Sequence, residues 1–150
     1  MSNAYSIETW LYKSSIDSTY DCIFAFGLEV QSYFRSNFIE FYIDTGGGGA
    51  YEVNGIQLTG LSAATWYHYT ITDNGSGTVN MYLNGGTQTN TTTYTGNPGV
   101  YSGTPRIGDY PNSPGAYPFN GNIAQFRIYT KALSAAEVLQ NYNATKTNFV

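Results

Sequence analysis

Along most of the 150-residue chain, apolar and polar positions alternate with period two, and turn-forming residues interrupt the alternation at short intervals. Successive side chains of a strand point to opposite faces, so the pattern predicts half-buried antiparallel β-structure. Six stretches read as strands: 4–13, 20–30, 33–44, 66–73, 78–84 and 122–130. Weaker candidates are 50–53, 88–94 and 105–107. Asn-Gly occurs at 54–55, 74–75, 84–85 and 120–121, a dipeptide suited to turns that need positive φ. The glycine run 46–49 reads as a hairpin tip, because no Gly-Lys-Ser/Thr follows it to make a phosphate cradle.

Parity sorts the strands into faces. Ile39, Phe41 and Ile43 share one face, as do Tyr67, Tyr69 and Ile71, then Val79, Met81 and Leu83, then Ala124, Phe126 and Ile128. These form the expected core. The opposite parity carries Phe38, Glu40, Tyr42, Trp66, His68, Tyr82, Gln125, Arg127 and Tyr129. A face that mixes aromatic, amide and charged groups is unlike one that is merely solvated.

One helix is signalled near the end. Ser134 can cap it, Glu137 can return the capping-box bond, and Leu133 with Val138 can form the hydrophobic staple. Val138, Leu139 and Tyr142 give the stripe expected to dock on the strands. No composition shift or internal repeat divides the chain. The prediction is therefore all-β: one domain over 1–150, an antiparallel two-sheet β-sandwich with one short C-terminal helix.

Composition narrows the function. Charged residues make up 11% of the chain, against about 25% in an average domain, while aromatics reach 17%. Such aromatic content excludes disorder, and the scarcity of Ala, Glu, Lys, Leu and Arg excludes a coiled coil. The formal charge is −4 and the six basic residues are scattered, so nucleic acid is not an expected partner. The longest apolar run, 22–28, is too short to span a membrane, and no secretory signal is visible. Cys22 is the only cysteine and sits among strand-like apolar residues, where a buried small hydrophobe is expected.

Chemistry for an enzyme is thin. His68, the only histidine, lies within a strand pattern and reads as a packing or hydrogen-bonding residue. Glu40 and Asp44 share a strand face, but four residues along a strand separate them by roughly 13 Å, beyond the roughly 5–9.5 Å of glycosidase pairs. A cross-strand pair of Glu29 with Glu40 stays open. Calcium is a candidate cofactor through Asp17, Asp21, Asp109 and backbone carbonyls, although no EF-hand spacing occurs.

Binding chemistry is better represented. Tyrosine supplies a rigid amphipathic surface, and Asn or Ser supplies adaptable hydrogen bonds. Saccharides need that pairing: an aromatic face for C–H surfaces, polar groups for hydroxyls. The loop 109–118 is stiffened by three prolines and offers Asp109, Tyr110, Asn112 and Tyr117. Tyr82 and Arg127, from the semi-polar face, complete the candidate ligand-binding set.

Ordered motifs carry a resemblance. Tyr5-Ser6-Ile7-Glu8-Thr9-Trp10 is similar to an early strand, and Trp66-Tyr67-His68-Tyr69-Thr70-Ile71-Thr72 to a central one, of laminin-G-like jelly-roll domains in the concanavalin A-like lectin/glucanase superfamily. Asn74-Gly75-Ser76-Gly77-Thr78-Val79 with Met81-Tyr82-Leu83-Asn84-Gly85 resembles the hairpin that follows. Arg106-Ile107-Gly108, Phe119-Asn120-Gly121-Asn122-Ile123 and Arg127-Ile128-Tyr129 then lead into the helix, in family order. Where the family carries an Asp-Glu pair near calcium, this chain has Ala124 and Gln125. The family also begins with an earlier strand. Its absence here would open a sheet edge to a partner's strand, unless residues 144–150 cover it.

The resemblance implies a non-enzymatic recognition or adhesion module. Such domains occur in phage virion and tail-fibre proteins, so a structural or surface component of such an assembly is the leading expectation, with glycan binding left open beside it. A stand-alone lectin is the alternative, and a glycan-degrading enzyme a more distant one. The expected partners are a surface glycan, or a neighbouring subunit or second copy at the open edge, outside the cell or on a virion surface.

Overall fold

A computed structural model describes residues 4–45, 51, 53–96 and 104–150. The glycine run 46–49 lies outside the described residues, as does the start of the 50–53 strand candidate. Among the described residues ten strands form: β1 (Tyr5–Lys13), β2 (Asp21–Phe26), β3 (Val30–Arg35), β4 (Phe38–Ile43), β5 (Val53–Thr59), β6 (Thr65–Asp73), β7 (Thr78–Leu83), β8 (Gln88–Thr93), β9 (Arg106–Ile107) and β10 (Asn122–Tyr129). A helix α1 (Ala135–Thr145) and a 3₁₀ turn, Lys146–Asn148, follow. One sheet has the order β10-β1-β6-β7-β8, the other β5-β4-β3-β2-β9, and every described pairing is antiparallel. This is the two-sheet jelly-roll sandwich that the alternation and the motifs predict.

Both sheets turn their apolar parity inward. Ile7, Leu11, Tyr69, Ile71, Val79 and Met81 from the first sheet meet Phe24, Phe34, Ile39, Phe41 and Ile43 from the second, all essentially inaccessible. Each fully buried Phe or Ile contributes about 1.5–3 kcal/mol. One polar bridge crosses this core. Ser32 Oγ and Tyr69 OH lie 2.9 Å apart, which satisfies two hydroxyls that burial would otherwise penalise.

Several boundaries differ from the sequence reading. The 20–30 and 33–44 stretches hold a three-strand meander, with turns at 27–29 and at Ser36-Asn37, where Gly27 and Ser36 have positive φ. Apolar residues run through the first turn, so alternation does not announce it. Asn74-Gly75 and Asn84-Gly85 make hairpin turns, whereas Gly55 is a bulge inside β5, and the strand begins at Val53 rather than ending there.

The strand β10 corrects a parity assignment. Gln125 has φ 52° and its register shifts against β1 between Glu8 and Trp10, so a bulge reverses the faces downstream. Ile123 and Phe126 therefore both pack on the core and Ala124 pairs beside Trp10, while Ile128 keeps the core parity opposite Ile7 but lies at the sheet edge, 53% exposed.

The helix starts as predicted. Ser134 Oγ accepts from the Glu137 amide and the Glu137 carboxylate accepts from the Ser134 amide. Leu133 and Val138 are buried, but Leu139 is 47% exposed, so the docking stripe is Val138, Asn141 and Tyr142 instead. The helix lies against the outer face of the first sheet. Phe149 stacks on Trp10 at 4.4 Å and also meets Trp66 at 4.8 Å, so residues 144–150 cover that face and not the β10 edge. Among the described residues no strand pairs with that edge.

Candidate functional site

On the outer face of the second sheet lies a cleft of about 260 Å³, lined by Tyr20, Gln31, Tyr33, Tyr42, Tyr51, Tyr110 and Tyr117. Strand parity builds its floor. Gln31 and Tyr33 on β3 point away from the core, as does Tyr42 on β4, while Cys22 and Ala25 of β2 pack beneath. Tyr20 enters from the segment before β2. The loop after β9 supplies Tyr110 and Tyr117, and it is stitched to the sheet by the Cys22 amide on the Tyr117 carbonyl (2.9 Å) and the Phe119 amide on the Gly108 carbonyl (2.9 Å).

The rings brace one another edge to face. Centroids are 5.6 Å apart for Tyr20 and Tyr33, 5.9 Å for Tyr33 and Tyr42, 5.1 Å for Tyr42 and Tyr51, and 5.5 Å for Tyr110 and Tyr117. Gln31 anchors the floor. Its Oε1 accepts from Tyr33 OH at 2.6 Å and Tyr51 OH at 3.4 Å, and its Nε2 donates to the Leu28 carbonyl at 3.0 Å. Burial pushes the hydroxyls of Tyr33, Tyr42, Tyr51 and Tyr110 above the usual tyrosine range, so these rings stay neutral. The Cys22 thiol is pushed up to about 12, by burial first and by the Asp109 charge second, which makes it an unreactive filler.

The sequence-predicted residues separate into two places. Tyr110 and Tyr117 line the cleft, and Asn112 hydrogen-bonds Tyr110 from the same loop. Asp109 holds that loop in shape. Its carboxylate accepts from the amides of Gly115 (2.9 Å) and Tyr110 (2.8 Å), which lower it below the ordinary range, and Arg106 lies 3.4 Å away. Tyr82 and Arg127 do not join them. Both belong to the first sheet, where Arg127 pairs with Glu8 at 2.8 Å. Tyr20, Gln31, Tyr33, Tyr42 and Tyr51 were missed as ligand residues. Their outward parity was the available signal, but only the fold shows that the loop 109–118 closes over them.

Hydrolytic chemistry finds no assembled machinery among the described residues. His68 is fully buried beside Trp10, with its Nε2 3.6 Å from the Glu8 carboxylate. Burial opposes ionisation of Glu8, but the His68 imidazole beside it and hydrogen bonds from Asn141 and Arg127 overcome this and hold the carboxyl below its ordinary value. Glu40 faces Tyr33 and Gln57 across its strands, whereas Glu29 lies beside Asp44, so Glu29 and Glu40 are not a cross-strand pair.

A second pocket of about 500 Å³ shares Tyr20 with the cleft and is bounded by Asp17, Thr19, Asp21 and Asn120. Lys13 is inaccessible and places its ammonium 2.6 Å from Asp21 and 3.9 Å from Asp17. Two of the three candidate calcium ligands thus surround an internal cation, and the third, Asp109, is engaged by its own loop. Among the described residues no cluster of three metal-ligating side chains forms. No helix of the described residues is long and apolar enough to cross a membrane.

The two-sheet sandwich and its helix-covered face define a concanavalin A-like domain. The sequence profile of Laminin_G_3, of the concanavalin A-like lectin/glucanases superfamily, matches residues 1–139, and the chain belongs to this family. No curated protein matches the sequence. Among solved structures, the binding domain of botulinum neurotoxin DC in complex with rat synaptotagmin II is similar, at 17% identity and TM-score 0.69 over 96% of this chain and 36% of that one. The same binding domain in complex with SialylT gives 18% identity and TM-score 0.66, again over 96% and 36%. The binding domain of Paraclostridial Mosquitocidal Protein 1 gives 15% identity and TM-score 0.69 over 95% and 37%. The chain therefore spans little more than a third of these structures, and the likeness is one of fold.

Proposed function

We propose that this domain is a non-enzymatic recognition module that binds a surface saccharide in the tyrosine-lined cleft. The observation that carries this reading is the cleft itself: six tyrosine rings mutually braced around one anchored amide. Aromatic faces meet sugar C–H surfaces, while phenol and amide groups serve hydroxyls. Ligand pockets for drug-sized molecules run roughly 300–1,000 Å³, so a smaller cleft suits one sugar ring with its chain leaving along the neighbouring pocket. Tyr110 and Tyr117 make direct contact, Asn112 supports them, and Asp109 fixes their loop. The similar toxin structures are themselves binding domains, which supports a recognition module.

The test is a glycan array followed by calorimetry on the tightest hit. Tyr117→Ala and Tyr20→Ala should each weaken binding about tenfold or more, and Tyr82→Ala, on the opposite sheet, should leave it unchanged. Absence of any hit across diverse glycans would overturn the saccharide reading.

A second observation favours an assembly setting for the same module. The β9 and β10 edges expose Ile107 and Ile128, each 53% accessible, beside an unpaired backbone edge among the described residues. Within this reading the domain is a surface component of a larger particle such as a phage virion, acting outside the cell. Sedimentation should then find an oligomer or particle-bound protein that Ile128→Lys disperses. A monomer at high concentration, unaffected by that change, would exclude this setting and leave the saccharide reading standing.

A further inference from the structure

The cleft and the second pocket share a wall. Tyr20 lines both, and the loop after β9 completes the boundary by alternation: Tyr117 lines the cleft, whereas its neighbours Ala116 and Pro118 line the second pocket. The rings of Tyr20 and Tyr117 meet edge to face with centroids 6.0 Å apart, and they are 37% and 39% exposed. The boundary is therefore an accessible ridge that a ligand can cross. It is also fixed in place. The Cys22 amide on the Tyr117 carbonyl ties the loop to β2. The Arg35 guanidinium lies 4.5 Å from the centroid of the Tyr20 ring and donates to its hydroxyl, and it packs 5.4 Å from the Phe38 ring on its own account. A ring held in this way loses little freedom when a ligand settles on it.

The far side of the ridge is built as firmly. The Asn120 amide donates to the Asp21 carboxylate at 3.2 Å, and the next residue has no room for a side chain, since a Cβ on Gly121 would fall 2.0 Å from the Tyr12 carbonyl oxygen. Asp17 Oδ1 accepts from the Thr19 amide at 2.9 Å and from the Thr19 hydroxyl, while the side chain stays 40% exposed. The second pocket thus combines Asp17, Thr19 and Asn120 with Tyr20, Pro118 and Phe119, which are polar groups for hydroxyls beside apolar surface for C–H faces. Capacity differs between the two. At about 260 Å³ the cleft seats one sugar ring, and at about 500 Å³ the second pocket has room for two.

We propose that the two pockets are consecutive subsites of one groove and that the domain recognises three successive units of an oligosaccharide, one in the cleft and two beyond the Tyr20 ridge. This inference rests on the cleft being the saccharide site. Tyr20 touches the units on either side of it, and Asp17, Thr19 and Asn120 serve the hydroxyls of the outer two. Once the first ring is seated, the rings linked to it bind intramolecularly, so every unit that finds a subsite raises affinity. A fourth unit finds none and adds nothing. A free monosaccharide is then a weak ligand, and a surface chain the preferred one.

Calorimetry with ladders of one to six units, made of cello-, chito- and malto-oligosaccharides, tests the groove. In a ladder that binds, affinity should rise about tenfold or more from one unit to three and stay level from three to six. Three identical units offer the cleft only about threefold more ways to capture a ring, so a tenfold rise requires contacts beyond it. Ala116→Trp fills the second pocket from an exposed position and should lower the three-unit ligand to the affinity of the single unit, which itself stays unchanged. Asn120→Ala, also at an exposed position, should weaken the three-unit ligand several-fold and again spare the single unit. An unchanged Tm shows that each variant is folded, and either one suffices for the comparison. Affinity independent of length, or a length gain that both variants retain, would overturn the extended groove and leave the cleft as a one-ring site. If no member of any ladder and no glycan on an array binds, the saccharide reading itself fails.

Discussion

The two outer faces of the sandwich begin from similar sequence and end differently. Each carries aromatic rings, amides and carboxylates on the parity opposite the core. On the first sheet, Trp10, Trp66, His68 and Glu8 are roofed by α1 and the turn after it, through Tyr142, Asn141 and Phe149. On the second, Tyr20, Tyr33, Tyr42, Tyr51, Tyr110 and Tyr117 have, among the described residues, only their own loop as partial cover and leave a cleft. The lesson is that a semi-polar sheet face is not yet a site. It becomes one only where the chain does not return to cover it.

That contrast can be tested by unequal effects of similar substitutions. The largest should come from Trp10→Ala under the helix, which deletes a fully buried ring and its Nε1 bond to Thr145 (3.1 Å) and should cost about 3–5 kcal/mol in chemical denaturation. Tyr117→Ala in the cleft, where the ring is 39% exposed, should change stability by less than about 1.5 kcal/mol while abolishing most ligand affinity. If Tyr117→Ala unfolds the domain as severely as Trp10→Ala, the open face is structural too. Next in size is Ser134→Ala, which removes the helix cap and should cost about 1 kcal/mol, read as a lowered Tm with ligand affinity intact.

On the covered face acid should act through Glu8. The folded Glu8 carboxyl lies below its unfolded value of about 4.3, so its contribution is complete above that pH and is lost as pH falls through the lower folded value. Stability measured between pH 6 and pH 3 should therefore fall less steeply in Glu8→Gln than in the parent. Glu137, held at about 2 by Lys131 and by Ser134, is common to both proteins and drops out of the difference. The smallest effect concerns Cys22. With its thiol raised to about 12, it should not react with a thiol-specific disulfide reagent at pH 8 until the protein is unfolded.

The sandwich, the helix and its capping box were legible in the sequence because each rests on local periodicity or a short fixed spacing. Tyr69, Met81 and Ser134 needed nothing beyond their neighbours to be placed. The failures arose where one residue changed the count. A positive φ at Gln125 moved Ala124 off the core face and brought Ile123 onto it, and the turn at 27–29 was hidden among apolar residues. The site was legible by half. Tyr110 and Tyr117 stood out in a proline-stiffened loop, but their companions on β3 and β4 could be joined to them only by tertiary contact. Tyr82 and Arg127 had the same outward parity and chemistry, yet on the other sheet, a distinction that parity alone does not carry.

Phe149 has one more consequence, a spectroscopic one. It lies against both tryptophans of the chain, Trp10 and Trp66, at the covered face, while among the described residues the aromatic rings lining the cleft on the far side are all tyrosines. Indole fluorescence therefore watches the helix roof and is blind to the ligand, whereas tyrosine difference absorbance watches the cleft. The protein carries two built-in optical probes, one for each face, and a single titration can report on binding and on integrity without any label.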